Sequence, residues 1–355
     1  MRAVAVVVEY NPLHNGHLHH LSEVKKLFPD AAILAIMSGN FLQRGEPALI
    51  DKYIRAKWAV LSGCDIVLEL PFAFSTQRAD VFAKGAVTIA NAFGASALIF
   101  GQEDAVTLND SPADLQPNQR LGYFYMKAIF ENNLAINPIG ITRLHSTYNA
   151  DIIEHNSIAS ATAIRKLMMI KQPITQFVPS YVAVDLKTCN HRGLIANYYP
   201  FLKYSLINQQ AEPTALSQFG LWENFCKNLE QTDNFADFFE LSHHKHTSRT
   251  HIQRALTYLL CNATQAILDE AILTPWTRIL ALSDVGQQYY KQIKSQLTEF
   301  LVSTTIKQLS PANYTLQYNS CIAYSLITQN DTKSALILEH QHRPYIYNDK
   351  EEKNI

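Results

Sequence analysis

The first 171 residues alternate between short apolar runs and longer segments with a helical pattern of polar and apolar positions. The apolar runs predict five strands: Ala3–Val8, Ala31–Met37, Ile66–Leu70, Ala97–Phe100 and Pro138–Ile141. The segments between them predict four helices: His17–Phe28, Asp51–Leu61, Asp80–Phe93 and Leu121–Asn132. Strands that are apolar throughout and separated by helices are typical of a parallel sheet covered on both faces. The pattern therefore predicts an α/β fold with a parallel sheet.

A different pattern begins near residue 172, where strand-like runs become rare. Four later segments predict helices: Ala211–Leu229, Asn234–Leu241, Thr250–Asn262 and Leu282–Val302. We therefore predict two domains, an α/β domain over residues 1–171 and a mainly α-helical domain over residues 172–355.

Composition narrows the class of protein. Hydrophobic residues make up 47% of the chain and charged residues 17%, which excludes a disordered chain. The formal net charge is -1, so global charge neither favours nor excludes a nucleic-acid partner. The five cysteines form no Cys-x-x-Cys pair and are odd in number, which favours a reducing compartment. The apolar run after Arg2 is only six residues long, and no run approaches the ~20 residues of a membrane span. We expect a cytoplasmic protein with no membrane partner.

The segment with the clearest chemistry lies between the first predicted strand and the first predicted helix. It contains His14-Asn15-Gly16-His17, and Gly16 allows a ligand to approach the backbone. A helix N-terminus binds phosphate readily, and two imidazoles beside it can donate hydrogen bonds to a triphosphate. A solvent-facing histidine turn remains open. So does a two-histidine metal site, for which Glu9, His19 and His20 are awkwardly placed as further ligands.

A second segment, Ile158–Arg165, places two hydroxyls and a guanidinium on the first turn of a predicted helix. The Ser160 and Thr162 hydroxyls followed by Arg165 form a plausible phosphate clamp. The alternative is a helix N-cap with an ordinary surface arginine. The sequence has neither a Gly-x-x-x-x-Gly-Lys-Ser/Thr loop nor a Gly-x-Gly-x-x-Gly turn, which argues against the two common phosphate-binding loops.

Together these two segments resemble the HxGH nucleotidyltransferase superfamily, which implies a Rossmann-like fold and a reaction that expels pyrophosphate. Longer blocks of the sequence point to one particular family. Val7–His17, Met37–Ala48, Asp65–Pro71 and Ile158–Arg165 are similar to the bacterial tRNA(Met) cytidine acetate ligase family, and the likeness extends over essentially the whole chain. This resemblance implies that ATP activates acetate as acetyl-adenylate. The acetyl group would then pass to the exocyclic amine of the wobble cytidine of elongator tRNA(Met).

The resemblance also implies site residues. His14, His17 and Arg165 would be catalytic and would hold the ATP phosphates, with Mg²⁺ offsetting their charge. The implied ATP site consists of Val7, Val8, Glu9, Tyr10, Asn11, Pro12, Leu13, His14, Asn15, Gly16, His17, Leu18, His19, His20, Gly101, Asn118, Arg143, Leu144, Ser160 and Thr162. Without the resemblance, Asn118 would be interpreted as a helix N-cap. For Arg143, a role in a surface ion pair would then be as good an interpretation as a role in the ATP site. The family usually has Asn-Asn where this chain has Asn118-Gln119.

Two further segments are candidates for RNA contacts. Residues 241–254 carry Lys245, Arg249, Arg254 and four histidines without an acidic residue, which indicates a basic face for tRNA phosphates. His251 stands where the family commonly has arginine. A solvated helix surface and a metal site at His243, His244 and His246 remain alternatives. The loop Ser38–Arg44 is predicted to face RNA or phosphate.

Two rival functions remain open at this point. One is a small-molecule adenylyltransferase, against which the long second half of the chain argues. The other is a non-catalytic RNA-binding protein on the same fold, against which the intact His14, His17 and Arg165 argue. We expect no DNA partner.

Overall fold

The computed structural model describes residues 1–143, 157–189, 192–208, 221–243, 247–297, 300–328 and 330–348. Within these ranges the strands are β1 (Arg2–Val8), β2 (Ala31–Ser38), β3 (Ile66–Leu70), β4 (Ala95–Gln102), β5 (Asn137–Thr142), β6 (Trp276–Thr277), β7 (Ile279–Ser283), β8 (Leu301–Val302) and β9 (Tyr345–Tyr347). The α-helices of the first part are α1 (Asn15–Leu27), α2 (Lys52–Leu61), α3 (Phe72–Ser75), α4 (Ala79–Ala92), α5 (Pro117–Glu131) and α6 (Ala161–Met169). Those of the second part are α7 (Ser180–Thr188), α8 (Tyr199–Asn208), α9 (Leu221–Leu229), α10 (Phe235–Ser242), α11 (Arg249–Leu260), α12 (Gln265–Ala271), α13 (Asp284–Ile293), α14 (Pro311–Thr328) and α15 (Thr332–Gln341).

The main sheet has seven strands in the order β5-β4-β1-β2-β3-β7-β9. The five strands of the first half pair in parallel, and every residue of β2 and β3 is buried. Helices pack on both faces, since one core cluster joins the sheet to α1, α2 and α6 and another joins it to α4 and α5. The predicted parallel sheet covered on both faces is confirmed.

The predicted helix Leu282–Val302 is only partly correct. Leu282 and Ser283 end strand β7, α13 covers Asp284–Ile293, and Leu301–Val302 pairs with Trp276–Thr277. The apolar run Ile279–Leu282 is buried, and a buried strand of this length resembles part of a buried helix in its sequence pattern. Strand β7 pairs antiparallel with β3, and β9 pairs with β7. The second half of the chain thus contributes two strands to the main sheet, while the boundary at residue 171 stays a prediction.

The carboxyl ends of β1, β2, β4 and β5 lie along one edge of the sheet because these four strands are parallel. Ligands in α/β sheets bind outside this edge. The connection from β1 to α1, the loop after β2 and the ends of β4 and β5 all lie there.

A separate apolar core holds the helices of the second half together. It contains residues of α8 to α12 and α14, and it also takes Phe41, Leu42 and Ala48 from the loop between β2 and α2. That loop therefore belongs structurally to both halves. No α-helix within the described ranges is long and apolar enough to cross a membrane.

Candidate active site

His14 and His17 fix each other through the start of helix α1. His14 is the N-cap, with extended backbone at φ -144° and ψ 170°, and its Nδ1 accepts the Gly16 backbone N–H at 3.1 Å. The Nδ1 of His17 accepts the His14 backbone N–H at 3.2 Å. The two rings stack with centroids 3.7 Å apart and an angle of 24° between their planes. This reciprocal cap sets the orientation of both imidazoles, in the way that a capping box fixes a helix start.

The hydrogen bonds also set the protonation of both rings. Because each Nδ1 accepts a hydrogen bond, the ring proton of a neutral imidazole must lie on Nε2. Burial and the nearby Arg143 charge lower the pKa of His14 to about 3. Burial, His14 and Arg143 place the pKa of His17 well below its usual value. Both rings are therefore neutral Nε2–H donors near neutral pH, and such donors suit phosphate oxygens.

Gly16 makes room for the His14 ring. A Cβ at position 16 would lie 3.0 Å from Cε1 and 3.1 Å from Nδ1 of His14. Any larger residue must move that ring, because contacts this short are rarely tolerated. The structure thus gives Gly16 a packing role, while the approach of a ligand to its backbone stays a prediction.

Asn15 attaches the motif to the polypeptide on either side of α6. Its side-chain Nδ2 donates to the Ser157 carbonyl at 2.8 Å and to the Gln176 carbonyl at 2.9 Å. Its backbone N–H donates to the Phe177 carbonyl at 2.9 Å. The predicted ligand residue Asn15 therefore uses its amide to join the two motif segments.

Arg165 reaches from α6 to the histidine motif. Its Nη1 donates to the Asn11 carbonyl at 2.8 Å, and its Nη2 lies 3.4 Å from the Thr162 hydroxyl oxygen. The same Nη2 lies 3.6 Å from Glu46 Oε2. Ser160 caps α6, since its Oγ accepts the Ala163 backbone N–H at 3.1 Å. The alternative of a helix N-cap is thus correct for Ser160, whereas Arg165 is not an ordinary surface arginine.

The ends of β4 and β5 bring Gly101 and Arg143 together. A Cβ on Gly101 would lie 3.2 Å from Arg143 Cγ, and the Arg143 backbone N–H donates to Gln102. The charge of Arg143 contributes to lowering the pKa of His14 and His17, which places it near the histidine pair. Leu144 lies outside the described residues.

Asn118 lies in the first turn of α5, where its Nδ2 donates to Glu103 Oε1 at 2.5 Å. It is not the helix N-cap, a position that Gln116 occupies. The amide therefore has a carboxylate partner near the end of β4.

Most other residues of the implied ATP segment pack inward. Val8, Tyr10, Asn11, Pro12 and Leu13 are buried, so they can contribute to a ligand site mainly through their backbone. The same holds in part for Val7 and Leu18, which pack against the two cores.

Glu9, His19 and His20 remain partly accessible. Glu9 Oε1 accepts the Gln43 backbone N–H at 2.9 Å, and burial raises the pKa of Glu9. Burial and Arg143 lower the pKa of His20 to about 4. Across the described ranges no group of three or more histidine, cysteine, aspartate or glutamate side chains is arranged to hold a metal ion.

Arg55 is a site residue that the sequence pattern did not reveal. Its side chain is fully buried, and its Nη1 donates to the carbonyls of Glu9 at 2.7 Å and Ser38 at 3.1 Å. Its Nη2 donates to the Gly39 carbonyl. Arg55 thereby clamps the chain where β1 and β2 end. The only signal in the sequence is a lone arginine among the apolar positions of the second helix.

The loop after β2 is mainly a packing element. Within Ser38–Arg44 only Arg44 is exposed, because Phe41 and Leu42 enter the core of the second half. Phe41 and Leu42 are therefore packing residues, while the contact of Gln43 and Arg44 with RNA or phosphate stays a prediction.

The predicted basic face is less open than its composition indicates. Arg249 pairs with Glu240, which lies just outside the acid-free stretch, at 2.6 Å. Arg254 Nη1 lies 3.5 Å from the Gln43 carbonyl. Lys245, His244 and His246 lie outside the described residues. Glu240 lies in α10 just before residues 241–254, and its carboxylate meets Arg249 at the start of α11.

Comparisons with known proteins agree with this geometry. The sequence model of the HIGH Nucleotidyl Transferase family matches residues 1–111 and 105–337. The tRNA(Met) cytidine acetate ligase of Halalkalibacterium halodurans is 34% identical, with 86% of this chain and 88% of the relative covered. The Bacillus subtilis protein of the same name is 31% identical, with 99% of each chain covered. A crystal structure of Thermotoga maritima TmcAL bound with alpha-thio ATP has a TM-score of 0.84 at 23% identity, covering 98% of this chain and 100% of that chain. This last likeness concerns the fold alone.

Proposed function

Since the chain belongs to the tRNA(Met) cytidine acetate ligase family of HIGH nucleotidyl transferases, we propose that it uses ATP to acetylate the wobble cytidine of elongator tRNA(Met). The product would be N4-acetylcytidine, with AMP and pyrophosphate released. Because the proposed substrates ATP and tRNA are found there, the cytoplasm is the proposed location.

One observation supports the chemistry most directly. The neutral His14 and His17 lie stacked at the carboxyl edge of the sheet, and Arg165 reaches the same segment through the Asn11 carbonyl. Two N–H donors and one guanidinium are an arrangement suited to a polyphosphate whose charge grows as a bond to phosphorus breaks.

In the first step an acetate oxygen attacks the α-phosphorus of ATP. An oxygen–phosphorus bond forms, the bond to the β-phosphate bridging oxygen breaks, and pyrophosphate leaves with the electron pair. His14 and His17 donate Nε2–H to phosphate oxygens, and Arg165 balances charge on the departing group. The product is the mixed anhydride acetyl-adenylate, which gives the acetyl carbon the leaving group that free acetate lacks.

In the second step the cytidine N4 amine attacks the acetyl carbonyl. A carbon–nitrogen bond forms, AMP leaves with the electrons of the anhydride bond, and the amine loses one proton. We propose that the cytidine is turned out of the anticodon stack, because an amine within stacked bases is difficult to reach.

Mg²⁺ has no protein cage in the described part of the site. The residues around His14 are mainly imidazoles and guanidinium groups, and the carboxylates of Glu9 and Glu46 already face Gln43 and Arg165, whereas Mg²⁺ prefers several oxygen ligands in an octahedral arrangement. We propose that any Mg²⁺ arrives on the phosphate oxygens of ATP.

The test is acetate-dependent exchange of labelled pyrophosphate into ATP. The purified protein is incubated with and without tRNA, and exchange without tRNA is expected because adenylation comes first. The tRNA from the complete reaction is then digested, and its nucleosides are analysed by mass spectrometry for N4-acetylcytidine. No exchange under either condition, together with acetylation of tRNA by acetyl-coenzyme A alone, would show that the proposed function is wrong.

A further inference from the structure

Residues 39–48, in the loop between β2 and α2, connect the histidine motif to helix α11. It folds back on itself, since Phe41 and Pro47 form a bridge and the Leu42 backbone N–H donates to the Glu46 carbonyl at 2.9 Å. A loop closed by its own hydrogen bonds moves as a unit more readily than it deforms.

The loop is held tightly by α11 on one side. Gly45 has φ +79°, and a Cβ there would lie 2.5 Å from the Arg254 backbone nitrogen, so the helix backbone rests directly on the glycine. The Thr257 hydroxyl donates to the Gly45 carbonyl at 2.5 Å. The loop backbone thus packs directly against α11.

On its other side the loop meets the residues of the active site. The Gln43 backbone N–H donates to Glu9, and the Glu46 carboxylate faces Arg165. Glu46 is the residue that contacts both sides through one side chain. Its Oε1 accepts from Gln253 Nε2 of α11 at 3.2 Å, while its Oε2 lies 3.6 Å from Arg165 Nη2.

We propose that Glu46 is a positioning residue that holds the Arg165 guanidinium for the ATP phosphates and ties it to helix α11 through Gln253. Asn11 fixes one terminal nitrogen of Arg165, and Glu46 with Thr162 orients the other. A guanidinium held at both nitrogens loses little rotational freedom when phosphate binds, which favours binding and catalysis.

This inference rests on the proposed function for the assignment of Arg165 to the ATP phosphates, but not for the identity of the acceptor. Glu46 orients a residue that meets ATP, so its effect appears in ATP binding whatever the acceptor is. Its contact with α11 also gives the second half of the chain a direct physical connection to the adenylation site.

The experiment is a double-mutant cycle of Glu46→Gln and Arg165→Ala. Gln at position 46 can still accept from Gln253 but no longer carries the charge that faces Arg165. We expect Glu46→Gln alone to lower kcat/KM for ATP in pyrophosphate exchange about 10-fold, less than the ~10²-fold cost of a misplacement near 1 Å. The affinity of the Glu46→Gln variant for ATP, measured by titration calorimetry without acetate, should also be lower than that of the wild type. In the Arg165→Ala background Glu46→Gln should change neither quantity.

The control variant is Glu131→Gln, which removes an exposed carboxylate 3.7 Å from Lys127 on α5. It should leave exchange, ATP affinity and melting temperature unchanged. Glu46→Asp keeps the charge and should recover part of the lost activity, which a purely structural role does not explain.

Two results would overturn the inference. One is an equal loss from Glu46→Gln with and without Arg165; the other is tighter ATP binding, which would make Glu46 a competitor of phosphate. If the wild-type protein binds ATP but shows no acetate-dependent exchange, the proposed function fails while the affinity cycle still decides on Glu46.

Discussion

Lys52 Nζ lies 2.5 Å from Glu339 Oε1, and at most 1% of either side chain is exposed. The same lysine lies 2.6 Å from Glu69 Oε1, and Arg278 Nη2 lies 2.9 Å from Glu339 Oε2. Two cations and two carboxylates are thus paired inside the protein, between helix α2, the sheet and helix α15. Because the members come from both halves of the chain, the pairing holds the last helix against the sheet.

Replacing Glu339 with Gln should strongly destabilise the fold. The change leaves buried cations without one of their two counter-charges, which costs about 3–5 kcal/mol. The free energy of unfolding, measured by urea titration at neutral pH, checks this value. The control is Glu23→Gln, which breaks an exposed pair with Lys26 and should leave the stability unchanged. Equal stability of the Glu339 variant and the wild type would contradict the expectation.

The contacts of Glu339 with Lys52 and Arg278 also predict that the protein becomes less stable in acid. Burial alone would raise the pKa of Glu339, but Lys52 and Arg278 outweigh it and lower the pKa to about 2. A carboxylate whose pKa is lower in the folded state stabilises the protein above its unfolded pKa of about 4.3 and loses that effect as pH falls towards the folded value. The stability difference between wild type and Glu339→Gln should therefore shrink as pH falls through that interval.

The sequence predicted elements better than long-range contacts. Strands β1 to β5 were found because each is a short apolar run between helical segments. Strand β7 was missed because the buried run Ile279–Ser283 continues directly into helix α13, and both have apolar patterns. Glu69 lies within the apolar run of β3, and nothing nearby in the sequence points to its distant partner Arg278, 3.5 Å away.

The residues of the candidate site also fall into those that the sequence revealed and those that it did not. The motifs around His14, His17 and Arg165 were visible because their spacing is local. Arg55 and Glu46 were not, since their partners become neighbours only after folding. The close packing of Gly16 against His14 likewise depends on a ring orientation that the hydrogen bonds of the cap create.

The Nε2–H of His17 should account for most of its contribution to catalysis. His17→Asn and His17→Gln separate the two ring nitrogens, because an Asn amide reaches about as far as Nδ1 and a Gln amide about as far as Nε2. Removing one transition-state donor costs ~10²–10³ in rate, and we expect His17→Asn to show a loss of that size. His17→Gln should retain more activity in pyrophosphate exchange. As a control for folding, both variants should have the melting temperature of the wild type. Equal losses of exchange activity in His17→Asn and His17→Gln would show that the Nε2 donor has no part in the mechanism.

The activity should not depend on a histidine titration near neutral pH. Burial is the first cause that lowers the pKa of His14 to about 3 and that of His17 well below its usual value. A lowered pKa keeps each ring neutral until the pH falls to the shifted value, so the donors persist from about pH 5 to pH 8. We therefore expect the pH profile of kcat/KM for ATP to keep the same shape in the wild type and in His14→Gln across that interval, because titration of the ATP phosphates is common to both. An inflection near pH 6.5 that disappears in His14→Gln would contradict the neutral assignment.

Arg249 should contact tRNA phosphate only in competition with Glu240. Together, Lys245→Ala, Arg249→Ala and Arg254→Ala should weaken tRNA binding and flatten its salt dependence, while acetyl-adenylate formation persists at a reduced rate because Arg254 also supports the loop beside Glu46.

The single change Arg249→Ala isolates one contact, and it should reduce the slope of log K against log salt by about 1. Glu240→Gln keeps the shape but removes the charge 2.6 Å from Arg249, so it should have the opposite effect and tighten tRNA binding. Filter binding over a salt series measures all of these variants. Weaker binding by Glu240→Gln, or an unchanged slope for Arg249→Ala, would mean that this pair only joins α10 to α11 and that tRNA binds elsewhere.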